Sequence, residues 1–261
     1  MWHRCMHPSH TEIDLMHNRI RSLILLMTAR RRYGLNISLL LGLMFFTVCN
    51  SASAIEPEVR ESFNGSVDFN QQSASPEVKQ VANWVVVSRD NQRMPFAIVD
   101  KINAKVFVFG ADGRLLGADA ALLGMGRGDQ YDAGTGSQKM SSIKPENRIT
   151  PAGRFVVSLQ HDVVGKEILL IDYDASIALH PVVKGTPAER RAERLNSETA
   201  QDNRISYGCI NVPVQFYQKI VSPAFTKTNG VVYILPEVGS ADKLFGLSRI
   251  EKKPISPSRA F

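Results

Sequence analysis

Beyond Pro95 the chain runs in short β-branched and aromatic segments that Gly, Pro and Asp keep interrupting, a spacing that points to a β architecture. Phe96 to Val99 and Val106 to Phe109 are the first of these runs. Gly110-Ala111-Asp112-Gly113 then turns the chain into Arg114-Leu115-Leu116, a hairpin signal. Arg154 to Leu159, Ile168 to Ile171, Ser176 to Leu179 and Val231 to Leu235 follow. Short strands with this punctuation predict a mainly β, sandwich-like or barrel domain with a few short helices. One predicted helix, Pro187 to Glu198, carries charge on all sides and reads as solvated, with Arg194 and Glu198 able to pair weakly. A second spans about Val212 to Ser222, capped by Asn211, with Val214, Tyr217, Ile220 and Val221 on one face. Ser75-Pro76-Glu77 looks like a helix start, yet Trp84-Val85-Val86-Val87 reads equally well as a strand, so that segment stays open.

The first 54 residues stand apart. They hold the one long apolar run, Leu35 to Cys49, preceded by Arg30-Arg31-Arg32 and followed by Ala52-Ser53-Ala54. This is the pattern of a secretory signal peptide, with Met27 as an alternative start. The run is 15 residues long, short of the roughly 20 that a spanning helix needs, so no permanent membrane span is expected. Export to the periplasm or cell envelope is. The chain then divides into a leader over 1–54, a polar tether and helix over 55–95, a β domain over 96–238 and a C-terminal tail over 239–261. Removing the leader leaves 207 residues with 25 Lys and Arg against 23 Asp and Glu, a net charge of +2. The whole-chain basicity therefore belongs to the leader, and nucleic acid is not an expected partner. Only His161, His180 and Cys209 remain as soft ligands, too few and scattered for zinc, so neither a metal nor another cofactor is expected.

A single cysteine in an exported chain is unusual, because oxidising compartments favour pairs. Cys209 is either a small buried hydrophobe or a working thiol. Its setting, Ser206-Tyr207-Gly208-Cys209-Ile210-Asn211, favours work. A helix start just after Cys209 would stabilise the thiolate. The backbone N–H groups of Gly208 and Cys209 would serve as an oxyanion site, and Gly208 would admit a carbonyl substrate close to the backbone. His180, closing a predicted strand, is the better base; His161 beside Asp162 reads as structural.

These residues resemble a family. His180 followed by Ser206-Tyr207-Gly208-Cys209-Ile210-Asn211 is similar to the active-site signature of bacterial L,D-transpeptidases, and Thr150-Pro151-Ala152-Gly153-Arg154-Phe155 is similar to the Thr-Pro-x-Gly-x-Phe segment ahead of their histidine. The resemblance spans about Ile98 to Leu235. It implies a sandwich-like catalytic domain acting on peptidoglycan stem peptides, with Cys209 as nucleophile and His180 as base. It further implies that a backbone carbonyl near Ser206 orients the histidine, that Ser206, Tyr207, Gly208 and Asn211 line the oxyanion or substrate site, and that the acyl acceptor is a second stem peptide or an envelope protein. The chain departs from the pattern in three places: Tyr207 replaces the usual histidine, Pro181 follows His180, and 25 residues separate His180 from Ser206, enough for a lid over the site. On the same scaffold, water as acceptor would give an L,D-carboxypeptidase or amidase. A silent wall-binding module is the remaining alternative. A papain-like protease has its cysteine before its histidine, the reverse of the order here.

Overall fold

The computed structural model describes residues 66–249 except 132, 133, 135 and 137. The predicted leader, its alternative start and most of the tether lie outside the described residues. The protein is mainly β, as the punctuation of the sequence predicts. Among the described residues ten strands are formed: β1 (Phe96–Asp100), β2 (Lys105–Phe109), β3 (Leu115–Ala120), β4 (Leu123–Gly124), β5 (Gly153–His161), β6 (Glu167–Asp172), β7 (Ile177–Pro181), β8 (Arg204–Ser206), β9 (Ile210–Val212) and β10 (Gly230–Ile234). Eight of them make one mixed sheet in the order β3-β2-β1-β10-β5-β6-β7-β9, and β4 pairs with β8 beside it. Only the β1–β10 and β7–β9 pairs of the large sheet are parallel.

The sandwich-like character comes from β5. Gly153 to Val157 pair with β10, and Ser158 to His161 pair with β6, so one long strand belongs to both halves of the sheet. Ala97, Val99, Val106, Val108, Val232 and Ile234 from the first half share a core with Leu169, Ile171, Ile177, Leu179, Ile210 and Val212 from the second. In β1, β2 and β10 the alternate residues, among them Phe96, Ile98, Phe107, Phe109, Val231 and Tyr233, face the opposite way into a second core. Each fully buried Val, Ile or Phe is worth about 1.5–3 kcal/mol over exposure, so these three strands, apolar on both faces, anchor the fold.

The segment left open by the sequence is a helix, Pro76–Ser88, whose N-cap Ser75 accepts from the Val78 N–H. Val78, Val81, Ala82 and Val85 face the second core, and Val67 and Phe69 are buried with them. The fold therefore begins before the expected boundary at 96, and the tether does not extend to Ser75. The expected tail is also ordered at its start. Ala241–Phe245 is helical, capped by Ser240, and Ala241 and Leu247 are buried in the same core.

The Pro187–Glu198 helix is shorter than predicted. A single 3-10 turn, Pro187–Glu189, breaks at Arg190 and an α-helix follows over Arg191–Leu195. Arg194 does not turn outward toward Glu198; it donates to the Glu189 and Asp202 carbonyls and so pins the segment to itself.

A charged cluster joins one end of the sheet to the loops. Lys101 is 1% exposed, and its three Nζ protons go to Asp129 Oδ1 at 2.9 Å, the Gly128 carbonyl at 2.7 Å and the Thr150 carbonyl at 3.0 Å. Asp129 in turn accepts from the N–H groups of Glu237, Val238 and Gly239. Burial pushes the Asp129 carboxyl up, but those N–H groups and Lys101 outweigh it and hold it at about 2. Arg204 of β8 pairs with Glu237 and donates to the Lys101 carbonyl, which connects the cluster to the strand leading into Cys209.

Candidate active site

The turn from Ser206 to Asn211 is held by backbone hydrogen bonds together with the side-chain hydroxyls of Ser206 and Thr150. Ser206 is buried; its Oγ accepts from the Gly208 N–H at 3.1 Å and donates to the Cys209 carbonyl at 2.6 Å, closing the turn. Residues 122–125 run along both arms. Met125 N–H donates to the Ser206 carbonyl, while Leu122 and Asn211 exchange a pair of bonds at 2.8 and 2.9 Å. Thr150 holds the outside: its buried Oγ1 donates to the Gly208 carbonyl at 2.8 Å and accepts from the Gly124 N–H at 2.9 Å. The Thr-Pro segment noted in the sequence thus buttresses the cysteine turn.

Three expectations for this turn are corrected. No helix starts at Cys209. Strand β9 follows, Asn211 lies within it, and the helical run begins at Val214 after Pro213, continuing as a π-turn over Tyr217–Val221 and an α-turn over Ser222–Phe225. Pro213 forces the preceding residue toward extended backbone, so Ile210-Asn211-Val212 continues as a strand. The helix-dipole argument for the thiol lapses with it, and Val214, expected on the buried face, is 42% exposed. Second, the Gly208 N–H is spent on Ser206 and is not an oxyanion donor. Third, the space beside Gly208 is not open to a substrate. A Cβ there would lie 2.7 Å from Ile177 Cδ1 and 2.8 Å from the Ile149 carbonyl oxygen, and its φ of +125° belongs to glycine.

Strand β7 brings the histidine. It pairs with β9 in parallel register, Leu179 beside Ile210 and His180 beside Asn211. His180 Nδ1 lies 2.8 Å from the Pro181 carbonyl, the residue next to it and not one near Ser206. A carbonyl only accepts, so Nδ1 carries the proton and Nε2 presents a lone pair. Asn211 Nδ2 reaches that Nε2 at 3.5 Å and the Cys209 carbonyl at 3.3 Å. Cys209 is partly exposed, and its Sγ lies 3.6 Å from the Ser176 carbonyl at the foot of β7, which orients the thiol. Burial pulls the His180 pKa below its ordinary 6.5, opposed by the Pro181 carbonyl and by Asp162, and reinforced by Arg191 and Lys166. The imidazole is neutral at neutral pH, the form in which it can take a proton.

Tyr207 stacks on Arg148, whose guanidinium lies 3.9 Å from the ring centroid. Ser206, Gly208 and Asn211, expected to line a substrate site, are buried. Of the six residues singled out from the sequence, Cys209, His180 and Asn211 are thus drawn into one group, Ser206 and Gly208 shape the turn beneath it, and Tyr207 stands to one side.

Sequence reasoning passed over Arg191. Its side chain is 10% exposed, its Nη1 donates to Asn211 Oδ1 at 2.9 Å, and Glu189 holds its Nε at 2.8 Å. Charge on all sides of a short helix hid one arginine that points inward. Among the described residues no group of three His, Cys, Asp or Glu side chains could hold a metal ion, and no helix is long and apolar enough to cross a membrane.

No family model matches the chain, and no curated protein matches it. Among solved structures it is similar to a fused Zn-dependent amidase/peptidase/peptidoglycan-binding domain-containing protein from Clostridium acetobutylicum ATCC 824, with 16% identity and a TM-score of 0.31. The match covers 62% of this chain and 64% of that one, so it spans less than two thirds of that protein's length.

Proposed function

We propose that the protein is an exported cysteine acyltransferase of the L,D-transpeptidase kind, acting on peptidoglycan stem peptides in cell wall cross-linking or remodelling. The observation that carries this reading is the parallel β7–β9 pair, which sets His180 in register with Asn211, two residues from Cys209, and leaves Nε2 as the acceptor nitrogen. In this mechanism Cys209 Sγ attacks the carbonyl on the L-centre of diaminopimelate in a tetrapeptide donor while Nε2 takes the thiol proton. The C–N bond to the terminal D-alanine breaks, and the leaving amine receives that proton. The side-chain amine of a second diaminopimelate then attacks the thioester, loses a proton to Nε2, and the thiolate recovers it. One base serves both steps, so Tyr207 needs no proton role. Tyr207 and Arg148 form a wall.

The test is to incubate the protein with a purified disaccharide tetrapeptide and identify the products by mass spectrometry. Cross-linked dimer is expected, absent with Cys209→Ser and reduced about a hundredfold or more with His180→Ala. Tripeptide without dimer would replace transfer by hydrolysis on the same thioester. An unchanged tetrapeptide would remove the reading.

A further inference from the structure

Arginine has donors and no acceptor, which makes the hydrogen-bond directions around His180 fully determined. Arg191 Nη1 can meet only the oxygen of the Asn211 amide, so Oδ1 faces Arg191 and Nδ2 faces His180. Nδ2 only donates; Nε2 must therefore be bare, in agreement with an Nδ1 proton directed at the Pro181 carbonyl. We propose that Arg191 is a positioning residue for the base: by holding the Asn211 amide in one orientation it keeps His180 neutral, with the Nε2 lone pair available. This rests on the reading of His180 as the base for Cys209.

Protonating Nε2 would set its N–H against the N–H of Asn211. Turning the amide over would relieve that clash but face its NH2 with the Arg191 guanidinium, so one hydrogen bond is lost either way. Glu189 keeps Arg191 in place through Nε, leaving Nη1 for Asn211. The other charged groups acting on the imidazole come from the turn between β5 and β6. Asp162 favours its protonation and Lys166 opposes it. Cys209 is linked to the same imidazole through Asn211, which donates to the cysteine carbonyl. Unlike Asp162 and Lys166, Arg191 acts through a directed bond to the oxygen end of the amide, whose other end is held by the Cys209 carbonyl, and that gives it a signature distinct from plain charge.

The experiment is nitrogen-15 NMR of the histidine rings in the full chain, with His180 identified by its loss in His180→Gln. In the unsubstituted protein near pH 7 the proton is expected on Nδ1, with Nε2 bare. An Nε2 proton there would overturn the proposal without any variant. Arg191→Met should raise the His180 pKa by about half to one unit, a three- to tenfold change in proton affinity. The same substitution placed in Asn211→Ala should raise it by less than half as much. Equal shifts in both backgrounds would reduce Arg191 to a simple charge and overturn the proposal, as would no shift in either. The titration is read on the ring without substrate. A missing peptide product therefore strikes the transpeptidase reading alone, and an unmoved titration strikes this proposal alone.

Discussion

Replacing Gly208 by alanine tests whether the cysteine turn is shaped by packing. The added Cβ meets two neighbours, the end of the Ile177 side chain at 2.7 Å and the Ile149 carbonyl oxygen at 2.8 Å. Ile177 can rotate, but Ile149 is backbone and part of the wall that Thr150 ties to the turn. A φ of +125° is itself strained for alanine by about 1–3 kcal/mol. Forcing an extra methyl into filled space adds about 1–3 kcal/mol. We expect about 3–4 kcal/mol in total, a large share of the 5–15 kcal/mol typical of a folded domain. At about 2–4 °C per kcal/mol in a domain of this size, the melting temperature falls by roughly 6–15 °C. Gly165→Ala is the control. Gly165 also has a positive φ, +79°, but no atom stands within 4 Å of its missing Cβ, so it should lose only about 1 kcal/mol. Calorimetry of both variants compares a crowded positive-φ position with an uncrowded one, and a Gly208→Ala protein as stable as Gly165→Ala would refute the packing argument.

Other expectations concern the thiol, the wall and pH. A carbapenem, which resembles the acyl donor, should leave one covalent adduct on the protein by mass spectrometry and none on Cys209→Ser; equal labelling of both would remove Cys209 from the chemistry. Tyr207→Phe should keep the ring over Arg148 and alter stability by less than about 0.5 kcal/mol, whereas Tyr207→Ala should lose about 0.5–2 kcal/mol, measured by urea unfolding. Because burial lowers the His180 pKa, the midpoint of the fall in acylation rate with falling pH should lie below 6.5; a midpoint at or above 6.5 in stopped-flow traces would contradict the burial argument. The folded Asp129 carboxyl is depressed, so its contribution is complete above the unfolded value near 3.8 and is lost as pH falls toward about 2. Asp129→Asn should lack that acid-dependent loss in unfolding curves between pH 4 and 2.

What could be read from the sequence followed the strength of local pattern. Strands β1, β2 and β10 were legible because all but a terminal residue of each is apolar, aromatic or β-branched and turn residues bracket them. Strands β8 and β9 have three residues each, too few to show a period, and β9 was hidden because Asn211 reads as the cap of a helix over the apolar positions that follow. The one signal against that start was Pro213, which restrains Val212 to extended backbone. Cys209 and His180 could be named from residue type and order alone, but their relation depends on a parallel pairing that no local pattern encodes. Arg191 was masked by its neighbours: Arg190, Glu193 and Arg194 give the segment an outward-facing charge signature, and only the break at Arg190, with φ of +47°, turns the next side chain inward. Thr150 was noticed as part of a motif. Its task, holding the Gly208 carbonyl, is a contact across 58 residues.

Two parallel neighbours cannot be joined by a tight turn, and residues 182–203 carry the chain back from the end of β7 to β8 and the cysteine turn. The ladder between β7 and β9 fixes where His180 stands relative to Cys209, whatever the length of that return path. Spacing along the sequence and spacing between the two side chains are thereby independent. The return path can be lengthened, shortened or rewritten, and the pair keeps its geometry so long as the ladder holds. Arg191 lies on that path and holds Asn211, so a change of loop that spares it alters what the site admits, and a change that removes it alters how the site titrates.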